Sequence, residues 1–187
     1  MSEPVHVLTL NCWGLKYLAK HRHERLKRIG AELAAATPQP AIVALQECWT
    51  QQDYMSIREQ TKHILPYGKF YFSGIMGGGL AILSKWPIES SNMLRYVLNG
   101  RPTAFFRGDW FVGKGVACAK VKLTGGSWKG RYLSVFCTHV RLSDNLTRCF
   151  HPTDGQFLHS YTLHMKESQM THTYAIGLPK HGKSLVS

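Results

Sequence analysis

Short apolar runs and one amphipathic stretch alternate along the first 140 or so residues. VHVLTLNC, residues 5–12, is apolar at successive positions and predicts a buried strand. From His21, HRHERLKRIGAELAAA places Leu26, Ile29 and Leu33 on one helical face, with Arg25, Lys27, Arg28 and Glu32 mostly elsewhere. Thr37-Pro38-Gln39-Pro40 stops that helix. AIVALQE, residues 41–47, predicts a second buried strand. Two apolar strands joined by a helix predict a right-handed βαβ crossover with parallel pairing. A second helix is expected over 52–64. Strands follow at 68–73, 79–84, 88–98, 115–123 and 131–138, punctuated by Gly77-Gly78-Gly79, Trp86-Pro87, Gly100-Arg101-Pro102 and Gly125-Gly126. The order predicts an α/β fold in which 5–139 supply mainly one sheet, with helices on one face and the other face uncovered.

The texture changes near Leu142. Beyond it no period of 2 or 3.6 is sustained, and no strand pattern able to cover the sheet is visible. This stretch holds five of the ten histidines (His151, His159, His164, His172, His181), but spacings of 8, 5, 8 and 9 fit no compact ligand set. The expectation is a unit over 1–141 and a weakly ordered, unrelated tail over 142–187.

Composition narrows the class. The chain has 187 residues, 44% hydrophobic, which suits one globular domain with a sizeable core. No apolar run approaches the ~18 residues of a membrane-spanning helix. MSEPVHVLTL has no basic segment before its apolar stretch, so it is expected to begin a strand and not a leader. Cys12, Cys48, Cys118, Cys137 and Cys149 lack metal-type spacing, and their odd number suits reduced thiols in the cytosol. The net charge of +12 attracts nucleic acid, anionic membranes or phosphate-bearing substrates, and does not choose among them.

Four places carry candidate chemistry. The first strand runs into Asn11 and the second ends in Gln46-Glu47. In a parallel sheet the carboxyl ends of adjacent strands face one crevice, so Asn11 and Glu47 are expected to converge across 36 residues. A carboxylate beside a neutral amide suits Mg²⁺, although a strand-end Glu is as readily a solvated terminus. His139 closes the run SVFCTH and is placed either to contact a phosphate or to serve as a hydrogen-bonded structural histidine. In DWFVGKG, Asp109 and Lys114 flank an aromatic pair and a glycine. They form either a phosphate-binding element or a plain surface ion pair, and the spacing is not that of a P-loop.

Taken in order, LNCWGL (10–15), ALQECW (44–49), GGGLAILSKWPI (77–88), DWFVGKG (109–115) and FCTH (136–139) resemble the endonuclease/exonuclease/phosphatase superfamily of DNase I-like fold. Within it the resemblance is to the neutral sphingomyelinase and inositol-phosphosphingolipid phospholipase C branch, over about residues 5–139. It implies the front half of a four-layer DNase I-like β-sandwich flanked by helices, truncated. It implies Mg²⁺ as cofactor, Glu47 as metal ligand, Asn11 in the metal or phosphate shell, and His139 on the phosphate. Asp109 and Lys114 would form a switch that sets the centre over lipid. The implied reaction is phosphodiester hydrolysis of a sphingolipid at a membrane surface to ceramide, with anionic phospholipid as a further partner.

The chain departs from that pattern after His139. The family's Asp-x-Asn motif and late Asp-His pair, whose His is the general base, have no counterpart; Asp144-Asn145 lacks the spacer, and Arg141 stands where a polar motif residue is expected. The expectation is an inactive chain, cytosolic and peripheral to membranes, whose tail comes from a shifted frame or retained intron. It would self-associate through the uncovered sheet. A nuclease of the same fold and a non-catalytic lipid-binding remnant are the alternatives; DWFVGKG disfavours nucleic acid as partner.

Overall fold

The computed structural model describes residues 4–14, 19–72, 79–95, 115–139, 158–163 and 174–176. Strand β1 (Val5–Asn11), helix α1 (Arg22–Ala35) and strand β2 (Ile42–Gln46) follow in order, with β1 and β2 paired in parallel as expected and Asn11 opposite Gln46. Helix α2 (Gln51–Thr61), β3 (Tyr67–Tyr71), β4 (Leu80–Ser84), β5 (Ile88–Arg95), β6 (Gly115–Lys122) and β7 (Tyr132–Thr138) follow within a few residues of the predicted bounds.

The strands divide into two sheets, β3-β4-β2-β1-β8 and β5-β6-β7-β9. This corrects the expectation of one main sheet with an open face. Residues 88–138 build a second sheet, and it packs on the first. Val5, Val7, Ile42, Ala44, Leu80 and Ile82 meet Ala117, Ala119, Val121, Leu133, Val135 and Cys137 in one apolar layer. The opposite face of the first sheet, through Leu8, Leu10, Val43, Leu45, Ala81 and Leu83, packs on Leu26, Ile29, Leu33, Tyr54 and Ile57 of the two helices. Strands β2 and β4 are buried at every position because both their faces are covered, whereas β6 alternates buried and half-exposed. The layers are therefore helices, sheet, sheet. Among the described residues no helix lies on the outer face of the second sheet.

Strands β8 (Leu158–Leu163) and β9 (Tyr174–Ile176) pair antiparallel with β1 and parallel with β7. The expectation that nothing after Leu142 reads as strand is corrected here. A short strand that joins a sheet through backbone pairing need not leave an alternation of side chains in the sequence. Among the described residues no helix is long and apolar enough to cross a membrane.

Candidate active site

The parallel β1–β2 pair brings the two polar strand ends together as their spacing predicts. Asn11 Nδ2 donates to Glu47 Oε1 at 2.8 Å. His139, one residue beyond β7 in the second sheet, sets its Nε2 3.3 Å from the same oxygen. The site thus lies where the two sheets end side by side. A buried polar lock fixes that junction. Gln46 Nε2 donates to Thr9 Oγ1 at 2.9 Å and lies 3.3 Å from Cys137 Sγ, tying β1, β2 and β7 within two residues of Asn11, Glu47 and His139.

The backbone at the site departs from ordinary strand geometry. Glu47 has φ 53° and Trp13 φ 44°, both in the left-handed region that costs a side-chain-bearing residue. They are held from several sides. Gly14 N–H donates to Glu47 O at 2.9 Å, and a Cβ on Gly14 would run into that carbonyl. Cys48 N–H donates to Gly79 O at 2.9 Å. Arg25 donates to the carbonyls of Cys12 and Trp13 at 2.9 and 2.7 Å, while its guanidinium stands 5.0 Å from the centre of the Trp13 ring. Trp13 N–H in turn donates to Asn11 Oδ1 at 2.8 Å. Both ends of the Asn11 amide are therefore used inside the protein, which directs its Nδ2 at Glu47.

Burial pushes the Glu47 carboxyl up, but hydrogen bonding from His139 and Asn11, the His139 charge and the Trp49 indole outweigh it and hold the group below its ordinary value. The Trp49 N–H is fully buried beside this carboxylate yet completes no hydrogen bond of good geometry. Its ring lies against Gly79, where a Cβ would come to 3.0 Å from Cε3. Sequence reasoning assigned Trp49 no role. The available signal was its place two residues after Glu47 in ALQECW, but the contact with Gly79 comes from the segment just before β4, thirty residues later.

Of the predicted residues, Asn11, Glu47 and His139 converge; Asp109 and Lys114 lie outside the described residues. Among the described residues no three His, Cys, Asp or Glu side chains cluster as a metal cage. The donors present still fit Mg²⁺, a hard ion that often takes one or two carboxylates and keeps several waters.

The sequence profile described as the Endonuclease/Exonuclease/phosphatase family matches residues 8–176. Inositol phosphosphingolipids phospholipase C of Schizosaccharomyces pombe is 48% identical over 139 residues, covering 74% of this chain and 31% of that protein. Sphingomyelin phosphodiesterase 2 of Homo sapiens is 36% identical over 144 residues, 77% of this chain and 32% of that one. The chain thus spans about a third of the length of these curated relatives. Among solved structures, beta toxin from Staphylococcus aureus with bound magnesium ions superposes with a TM-score of 0.57 at 16% identity, over 76% of this chain and 51% of that one.

Proposed function

Because the chain belongs to the endonuclease/exonuclease/phosphatase family, we propose that its site is the metal- and phosphate-binding half of a Mg²⁺-dependent phosphodiesterase of the phospholipase C type, acting on sphingolipids. The observation that carries this reading is the meeting of Asn11, Glu47 and His139 at the adjoining ends of two sheets. The two similar proteins whose names specify phosphosphingolipid or sphingomyelin cleavage support the substrate class. The magnesium in the similar beta toxin supports the cofactor.

In this reading Glu47 holds the ion through its carboxylate and Asn11 fixes the direction of that carboxylate. His139 turns its ring nitrogen to a non-bridging phosphate oxygen and stabilises charge developing there. Mg²⁺, when bound, neutralises phosphate charge and assists the leaving oxygen. Asp109 and Lys114 would act on the lipid side of the site. The chain of 187 residues has no Asp-His pair to supply the base, so by itself it is expected to bind and not to turn over.

The test is incubation with labelled sphingomyelin and inositol-phosphoceramide at millimolar Mg²⁺, beside a Mg²⁺ titration. Weak Mg²⁺ binding that disappears in Glu47→Gln, without headgroup release, is expected. Binding unchanged in Glu47→Gln removes the site assignment, and headgroup release lost in Glu47→Ala removes the claim of inactivity. The +12 charge favours a second reading, a nuclease of the same fold. Cleavage of DNA that depends on Glu47, with no binding of sphingolipid vesicles, would replace the first reading by the second.

A further inference from the structure

We propose that Trp49 is a positioning residue for Glu47: its indole N–H, held in place by Gly79, is the donor that aligns the carboxylate for a cation. The inference rests on the Mg²⁺ reading above. It begins with an anomaly, because a buried N–H without a good acceptor is rare in a folded protein. Trp49 Nε1 is such a group, and the group beside it is the Glu47 carboxylate, the acceptor that Asn11 and His139 also address.

The indole is not placed to seek another partner. Gly79 adopts φ +63°, and three atoms of the Trp49 ring lie where its Cβ would be in close contact, from 3.0 to 3.2 Å. The neighbouring Cys48 N–H is bonded to Gly79 O at 2.9 Å, which ties the Trp49 backbone to the same turn. Glu47 has its own anchor at Gly14, so donor and carboxylate are each fixed from the main chain. Asn11 and His139 both address Oε1, and neither accounts for how the rest of the carboxylate is directed. The indole N–H supplies that second constraint. A cation that draws Glu47 into a defined orientation should close the Trp49–Glu47 hydrogen bond, and the closed bond should in turn favour the cation. Partners one step removed from a metal commonly change its affinity about 10–100-fold.

The experiment is ¹H–¹⁵N spectroscopy of the whole chain during a Mg²⁺ titration, with binding measured in parallel by calorimetry. Five tryptophans give five indole cross-peaks. Trp49→Phe identifies one directly; if that variant fails to fold, single Phe substitutions of Trp13, Trp86, Trp110 and Trp128 identify it by elimination. The expected result is a Trp49 cross-peak that moves with the same midpoint as Mg²⁺ binding, is static in Glu47→Gln, and is accompanied by about tenfold weaker binding in folded Trp49→Phe. Mg²⁺ binding that needs Glu47 but leaves the Trp49 cross-peak and the Trp49→Phe affinity unchanged overturns the positioning role alone. If the unaltered chain shows no Glu47-dependent Mg²⁺ binding, the metal reading falls and this proposal falls with it.

Discussion

Glu47 occupies a left-handed backbone position that costs on the order of 1–3 kcal/mol for a residue with a side chain. Gly14 and the polar contacts of Asn11 and His139 hold it there. The charged form is the one these contacts favour, so the folded chain holds the proton less tightly than the unfolded chain. That stabilisation is complete above the unfolded value of roughly pH 4.3 and is lost as pH falls through the lower folded value. Urea midpoints of the native chain should therefore drop more steeply than those of Glu47→Gln below about pH 4.3; parallel curves would show that the contacts do not favour the anion. Buried Cys137, whose thiol is pushed up to about 12 by burial, should resist thiol reagents until the chain unfolds, while half-buried Cys118 reacts sooner. Protection of Cys118 equal to that of Cys137 would contradict the placement of β6. Asn11, Glu47 and His139 were legible because each closes an apolar run, and a strand end is a position that sequence alone can locate. Trp49 was not, because its environment is made by Gly79, thirty residues later.

At the scale of elements, the start of α2 is more firmly built than its sequence suggests. Thr50 and Asp53 form a reciprocal capping box, each side chain bonded to the other's backbone N–H at 3.1 Å. Arg22, at the start of α1, reaches the same Asp53 at 2.5 Å, with side-chain exposures of 9% and 0% for the two partners. The helix that follows Glu47 by four residues is thus stapled to the helix that follows β1. Thr50→Ala should cost about 1 kcal/mol through loss of the cap. Arg22→Ala should cost about 3–5 kcal/mol, because it leaves the Asp53 charge buried without its partner. Urea unfolding measures both, and equal small losses would mean that Asp53 finds water or another donor. The sequence reading placed the helix over 52–64 without its cap, and a partner 31 residues away leaves no local signal. The division into sheets was partly visible. Continuous burial of AIVAL and LAILS marks strands covered on both faces, and the small-residue alternation of GVACAKVK marks one covered on a single face. Treating both patterns as members of one sheet led to the expectation of a missing layer.

Among the described residues, the layer between the two sheets is closed, and the outer face of the second sheet carries an apolar row. Directly paired residues of neighbouring strands share a face, so Leu94, Val116 and Thr138 form one row and Asn92, Cys118 and Phe136 the next. Leu94 is 65% exposed; Val116, Cys118 and Phe136 are half-buried; no described helix covers them. Charge occupies the other end of the face, where Lys120 lies over the Tyr132 ring and pairs with Glu89 at 3.5 Å. A net charge of +12 should draw the chain to anionic vesicles, and attraction screened over ~8 Å at physiological ionic strength should weaken steeply as salt rises. Salt-independent sedimentation with such vesicles would point to apolar anchoring instead. The same charge opposes contact between copies, so self-association must come from the apolar rows. Strand β5 adds an outer edge to this sheet in the described order, a second route to pairing between chains. The chain should therefore elute from size exclusion ahead of its 21.2 kDa mass, and more so at high salt, where charge repulsion is screened. Leu94→Lys and Phe136→Lys together should restore the monomer without lowering the urea midpoint. That outcome would place the contact on the outer face. An association undiminished in the double variant would remove the second sheet from it, and a monodisperse native chain at high salt would mean that the face is covered by the rest of the molecule.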